Sequence, residues 1–405
     1  MPIHYSPTYF IHYLLKREAT QFFTSLAIRY LAIGMVLIFE PIYIYLYFEK
    51  SISFTLLYFA VIHGLYAVLA VYGGRVMARL GLRHSILISH FFYFAYFVCL
   101  FFLYESFLLL PLAIILKVFG ISLFWPSFHV DFARFSEKDH RGRQVGRKNI
   151  AIIIPTVAAP IIGGWILASF GYQVLFIAVL LILLASAIPL FLSKEVHEMY
   201  SDSYKTAWRR IFKKENRKNS LAFAFQGMEV SINFYIWPIF MTILALQYSL
   251  MGGITSFSLA LSALFVLYAG RISDKGDRSK LLDIGAVLSS IAWVVKYFVT
   301  TPFGAFLSHG FYRVCRSTLG VPFQTILYEK TALKGPEGDE FIIYREIVVN
   351  LSKFFMLLFL SILFLFTSEI RLAFLLGALF VLGFMFLGDL PKLNNKLWTL
   401  KSSKK

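Results

Sequence analysis

Two cysteines in 405 residues, Cys99 and Cys315, leave no disulfide framework and no thiolate set for a metal. Charge is scarce too: Asp, Glu, Lys and Arg make up 15% of the chain, against about a quarter in a soluble globular protein. Acidic residues are the rarer sign, 22 against 39 basic, giving a formal net charge of +17. The sequence also lacks His/Glu pairs at metal-ligand spacing, a nucleophile elbow and a phosphate-binding loop. These absences argue against a metal centre, a membrane-embedded transferase and a nucleotide-driven enzyme. No enzymatic activity, cofactor or metal is expected.

What is present is apolar. Hydrophobic residues make up 59% of the chain and aromatic ones 18%, gathered in runs long enough to cross a bilayer. At about 20 residues per crossing, the runs divide into twelve spans: 24–46, 51–72, 85–104, 108–130, 149–169, 172–192, 219–246, 250–270, 281–300, 303–328, 346–367 and 369–390. The first run follows no signal-peptide layout and is retained, with a short interfacial helix expected over 5–21.

The connectors alternate between short with few charges and long with many, and most of the Lys and Arg fall in the long set. The positive-inside rule then puts both termini in the cytoplasm of a multi-pass protein of the plasma (inner) membrane. It also accounts for the net charge without nucleic acid. The most polar stretch, 193–218, divides the chain into six spans and six: 1–192, a basic cytoplasmic linker, and 219–405. Its run from Arg209 to Lys218, beside Trp208, Ile211 and Phe212, suits equally a helix on the anionic leaflet and a solvated linker.

An internal repeat relates the two sets of spans. Lys117 and Arg313 stand at the same offset as Pro126 and Pro322, Gly74 and Gly270, and Arg75 and Arg271, with Pro41 and Pro238 one residue further apart. Span 1 thus maps on span 7, 2 on 8 and 4 on 10, an architecture that places a binding site near the midplane between repeats.

The loop after span 2, Gly74-Arg75-Val76-Met77-Ala78-Arg79-Leu80-Gly81-Leu82-Arg83, resembles the signature G-x-x-x-D-[RK]-x-G-[RK]-[RK] of the major facilitator superfamily, with Ala78 in place of its Asp. Gly270-Arg271-Ile272-Ser273-Asp274-Lys275-Gly276-Asp277-Arg278 is similar to the second-half copy, one residue short before its glycine. Lys117-Val118-Phe119-Gly120 with Asp131 and Arg141-Gly142-Arg143 resembles the span-4 pattern of the family. Ala159-Pro160-Ile161-Ile162-Gly163-Gly164 resembles the end of its antiporter motif, here favouring close helix packing. The resemblance implies an all-α fold of twelve transmembrane helices in two pseudo-symmetric six-helix halves. It also implies gating loops built on Gly74, Arg75, Arg79, Gly81 and Arg83, and on Gly270, Asp274, Lys275 and Arg278, and a cavity lined by spans 1, 4, 7 and 10.

Ionisable residues well inside spans are Arg29, Glu40, Lys117, Glu229, Arg313, Arg316 and Lys353, and six of the seven lie on those cavity helices. An unpaired arginine facing lipid is costly, so Arg313 and Arg316 face protein, water or ligand. One reading is a cationic clamp, with Lys117, for a carboxylate or phosphate; the other is pairing with Glu229 or Glu40. Gln226, Glu229 and Asn233 fall on one helical face, so Gln226 and Asn233 join the substrate-binding candidates. Glu229 and Glu40 are proton-coupling candidates or permanent ion-pair partners. Arg29 and Lys296, near span ends, are expected to snorkel. Four cations against two carboxylates favour a small organic anion or zwitterion, moved by a secondary active transporter, monomeric in the bilayer and coupled to a proton or another ion. The alternative is a proton-coupled multidrug efflux antiporter.

Overall fold

The computed structural model describes residues 17–135, 141–191, 195–197, 199–275 and 277–387, excepting the side chains of 17–20, 132–135, 141–151, 267–269, 271–275 and 336. Most of the lead-in expected over 5–21, and the tail after 387, lie outside the described residues.

Twelve spans form among the described residues. They are α1 (Arg17–Leu37, continued by Phe39–Tyr47), α2 (Ile52–Leu80), α3 (Leu82–Phe101) and α4 (Leu109–Phe135), then α5 and α6 within Arg141–Phe191. After the linker come α7 (Arg217–Ser231, a π turn Ile232–Ile236, then Trp237–Ile243), α8 (Tyr248–Lys275) and α9 (Arg278–Tyr297). The last three are α10 (Pro302–Leu333), α11 (Gly338–Phe366) and α12 (Leu372–Leu382, ending in the 3-10 turn Gly383–Leu387). Gly171, at φ 81, separates α5 from α6, because a left-handed residue cannot continue the helix. Ser51, Asp277 and Thr301 accept first-turn N–H groups and so fix the starts of α2, α9 and α10.

Seven helical stretches are apolar and long enough to cross a membrane on those grounds alone, one of them holding both α5 and α6. The spans outside that set carry the informative residues, such as Glu229 in α7, Lys296 in α9 and Arg313 and Arg316 in α10. Helix boundaries depart from the sequence expectation by up to eight residues, among them at the end of α2 (Leu80 rather than 72), the start of α5 (Arg141 rather than 149) and the start of α11. α11 starts at Gly338 with Asp339 and Glu340 in its first turn, where acids favour the positive helix end, rather than at 346. Arg345, expected in a connector, is therefore buried within the span.

In the first half α1 packs on α5 and α6, and α4 on α2 and α3; in the second, α7 packs on α11 and α12, and α10 on α8 and α9. The halves meet along α2–α11 and α5–α8, two contacts that the repeat interchanges. Missing side chains allow both. A Cβ on Gly252 of α8 would lie 2.3 Å from the Pro160 carbonyl of α5, and one on Gly164 of α5 would lie 2.5 Å from the Tyr248 carbonyl of α8. A Cβ on Gly74 of α2 would come 2.9 Å from Ile343 of α11.

The linker straps the two halves together on one face of the molecule. Glu195 accepts the N–H groups of Arg83 (2.9 Å) and His84 (2.8 Å), while Ser201 donates to Glu340 of α11. A short helix, Tyr204–Arg209, then presents Trp208, with Ile211 beyond it, to the core. Arg210 pairs with Asp202 (2.5 Å) and Glu337 (3.0 Å), holding the Glu337 carboxyl below the usual carboxylate range.

Candidate functional site

Both halves carry a buried carboxylate, and each is held differently. In the second, Glu229 is fully buried; its Oε1 accepts from the Tyr312 hydroxyl (2.7 Å) and the Trp293 indole N–H (3.1 Å), and Oε2 faces Arg316 Nε at 3.6 Å. α7 brings Glu229 to mid-depth, α9 supplies Trp293, and α10 supplies Tyr312 and Arg316. Of the two span-10 arginines, Arg316 is thus the one that meets Glu229.

In the first half, Glu40 is buried against Lys117, whose Nζ lies 2.9 and 3.0 Å from its two oxygens, and Tyr96 donates to the same carboxylate at 2.7 Å. The Lys117 ammonium also lies over the Tyr96 ring at 4.5 Å. Lys117 and Glu40 thus satisfy one another.

A cavity of about 320 Å³ opens beside the second-half carboxylate. Arg313, Arg316, Asn233, Ser317 and Gln324 form its polar wall, and Ile152, Ile153 and Val157 of α5 with Leu259 of α8 its apolar one. Arg313 has no carboxylate partner among the described residues; its Nε only approaches His309 Nε2, at 3.4 Å. A guanidinium left without a carboxylate at the edge of a polar cavity can bind an anion from the aqueous phase.

The polar stripe expected on α7 does not hold together. The π turn at Ile232–Ile236 changes the helical register, so Asn233 reaches the cavity while Glu229 turns to α9 and α10. Gln226 lies outside the cavity and accepts from Arg345 of α11 (3.2 Å).

Arg345 belongs to a buried network between the halves that the sequence reading missed. It donates to Glu346 (2.5 Å), which also accepts from Tyr66 of α2 (2.7 Å). His63 of α2 bonds Asn350 of α11 (2.8 Å) and Tyr235 of α7 (2.7 Å), and His129 of α4 bonds Tyr328 of α10 (2.9 Å). The acidic first turn at Gly338-Asp339-Glu340 was the available signal.

Two snorkelling expectations are overturned. Lys296 is 0% exposed, its ammonium 3.9 Å from the Tyr312 ring, 4.0 Å from Trp237 and 4.4 Å from Trp293. Trp293 three residues earlier was the clue, because it shares a helical face with Lys296. Arg29 is 3% exposed and stacks on Tyr93 and Phe124, an apolar enclosure that keeps it from the interface.

Of the gating-loop residues, Gly74 sits at α2–α11 and Gly81, at φ 91, joins α2 to α3 beside Glu195. Arg83 is buried there, and Arg75 lies over Tyr72 at 5.8 Å; Arg79 is exposed. Gly270 is buried in α8, and Arg278 pairs with Glu329. The side chains of Asp274 and Lys275 lie outside the described residues.

Two six-helix halves with polar groups buried at their centre and along their contact define a polytopic transport protein. Residues 22–335 match the Major Facilitator Superfamily, more than half of the chain, and the chain belongs to that family of membrane transporters. Among solved structures, the human organic anion transporter MFSD10 (TETRAN) superposes with a TM-score of 0.70 at 13% identity, over 92% of this chain and 99% of its own. The fucose:proton symporter FucP of E. coli gives 0.64 at 14% identity, over 90% and 97%. FucP in the outward conformation gives 0.63 at 12%, over the same shares. No curated protein sequence matches this chain.

Proposed function

We propose that the protein is a secondary active transporter of a small organic anion, working by alternating access of the halves 1–192 and 219–405 and coupled to protons. The observation that carries this reading is Arg313, a cation without a carboxylate partner among the described residues, on the polar wall of the cavity. Arg316 completes a two-guanidinium clamp. It is held by Glu229 at 3.6 Å, a distance too long for a hydrogen bond, so an anion can draw it away. Asn233 supplies an amide, and the wall of α5 accepts an apolar body. That a structural neighbour is an organic anion transporter agrees with this chemistry, and two cavity guanidiniums disfavour the cationic drugs of a multidrug antiporter.

Glu229 links substrate to coupling because Arg316 serves both. The basic linker and connectors support an orientation in the plasma membrane with the strapped face towards the cytoplasm, and a single chain supplies every residue of the proposed site. The test is a thermal-shift and counterflow screen of purified protein against carboxylates and phosphates, since a ligand stabilises the state that it binds. Arg313→Ala should abolish the stabilisation by, and counterflow of, any anion that acts on the wild type. Unchanged transport in Arg313→Ala removes the clamp.

A further inference from the structure

The side-chain nitrogen of Lys296 has no hydrogen-bond acceptor among the described residues, although it is fully buried. Three ring faces surround it, and π clouds attract a cation without accepting a directional bond as water would. The charged and titratable groups facing it are Glu229 from α7 and His309, Tyr312 and Arg313 from α10. The side presented by α12 is aromatic, with Phe374 against Trp237 and Trp293. Glu229 is the only carboxylate in this set, and it already takes two neutral hydrogen bonds as well as the guanidinium of Arg316. Its Oε1 is thus occupied by neutral donors, while the amine beside it has no acceptor among the described residues.

We propose that the coupling proton resides on Lys296 Nζ, and that anion binding at Arg313 and Arg316 draws it there. The step is proton transfer from hydronium in the aqueous phase to a neutral amine: one O–H bond breaks, one N–H bond forms, and an ammonium and a water molecule result. An anion neutralises Arg313, which repels the ammonium, and draws Arg316 from Glu229, which then faces Lys296 with less competition. Both changes favour the charged amine. One negative charge and one proton thus load together, and the loaded site gains no net charge. This inference rests on the anion reading above and supplies the proton acceptor that it leaves open.

Trp237 and Trp293 report the charge, because a cation over an indole alters its emission. In purified wild type, without ligand, tryptophan emission should show a pH-dependent transition. Lys296→Met, which fills the box with an apolar chain, and Lys296→Arg, which fixes the positive charge, should each lose that transition. A transition of equal amplitude in both variants, or none in the wild type, overturns the proposal. Acetate, benzoate, citrate and inorganic phosphate are then added in turn. One whose binding is lost in Arg313→Ala should move the wild-type midpoint upward by on the order of one pH unit. A midpoint unmoved by such an anion overturns the coupling. If none of the four binds through Arg313 while the ligand-free transition stands and depends on Lys296, it is the anion reading that falls and the amine remains the proton site.

Discussion

The buried carboxylates Glu40 and Glu229 show how far single residues can be read. Sequence placed Glu40, Lys117, Glu229, Arg313 and Arg316 inside spans, since the cost of burying charge makes such residues conspicuous. It left each of them two roles, because partners come from other helices. For Lys117 the packing decides the stability question: its ammonium lies on both oxygens of Glu40. Lys117→Met would leave that carboxylate buried without its cation, a loss of about 3–5 kcal/mol for a buried pair broken on one side. The double variant Glu40→Gln/Lys117→Met should recover most of it, since a neutral amide can still accept from Tyr96. Thermal denaturation of the three proteins in detergent checks this. A single variant that melts like the wild type but loses anion binding would return Lys117 to the substrate. The residues misread, Lys296 and Arg29, lie near span ends, where distance along the helix says nothing about an aromatic enclosure built from neighbouring helices.

At the scale of elements, the span pattern was legible because hydrophobic length and alternating basic loops are one-dimensional signals. The start of α11 was not, because Tyr344-Arg345, next to Glu346, reads as the end of a polar connector until the partners on α2 and α7 are known. The small-residue motif of α5 was readable as a packing device, and its partner on α8 can be tested. A methyl on Gly252 would lie 2.3 Å from the Pro160 carbonyl, a contact that only separation of the helices relieves, whereas one on adjacent Gly253 meets nothing within 4 Å. Gly252→Ala should loosen the α5–α8 contact at its end away from the linker, at a cost of about 1–3 kcal/mol. Gly253→Ala should be neutral or slightly stabilising, because alanine is the better helix former. The readout is thiol labelling of a cysteine introduced at Ser256, whose hydroxyl accepts from the Ile161 N–H at 3.0 Å. Several-fold faster labelling in Gly252→Ala alone is expected, and equal rates in all three backgrounds would show that the contact does not depend on glycine.

For the molecule as a whole, alternating access requires that closing one face opens the other, and the halves are joined by different chemistry at their two contacts. On the side away from the linker, α5 and α8 meet backbone to backbone through glycine. Towards the linker, α2, α4, α7, α10 and α11 meet through buried polar groups centred on Glu346 and Arg345. A polar contact of this kind can break and be resolvated as water enters, which suits a gate better than apolar packing does. Glu346→Gln removes the charge that Arg345 and Tyr66 share. Hydrogen bonds to charged groups contribute about 1.5–3 kcal/mol each, and about 1.4 kcal/mol is a tenfold change in a two-state population. The variant should therefore shift the halves apart on the linker face by tenfold or more. Pulsed dipolar distances between spin labels at Arg79, near the end of α2, and Glu337, just before α11, measure this shift. Gly252→Ala strains the opposite face and should shift the same equilibrium the other way, shortening the population-averaged distance between these labels. Combining the two variants should return the distribution towards that of the wild type, since two rigid halves have one shared equilibrium. If each substitution moves only its own face, the halves do not rock as units and the α2–α11 network is local packing rather than a gate.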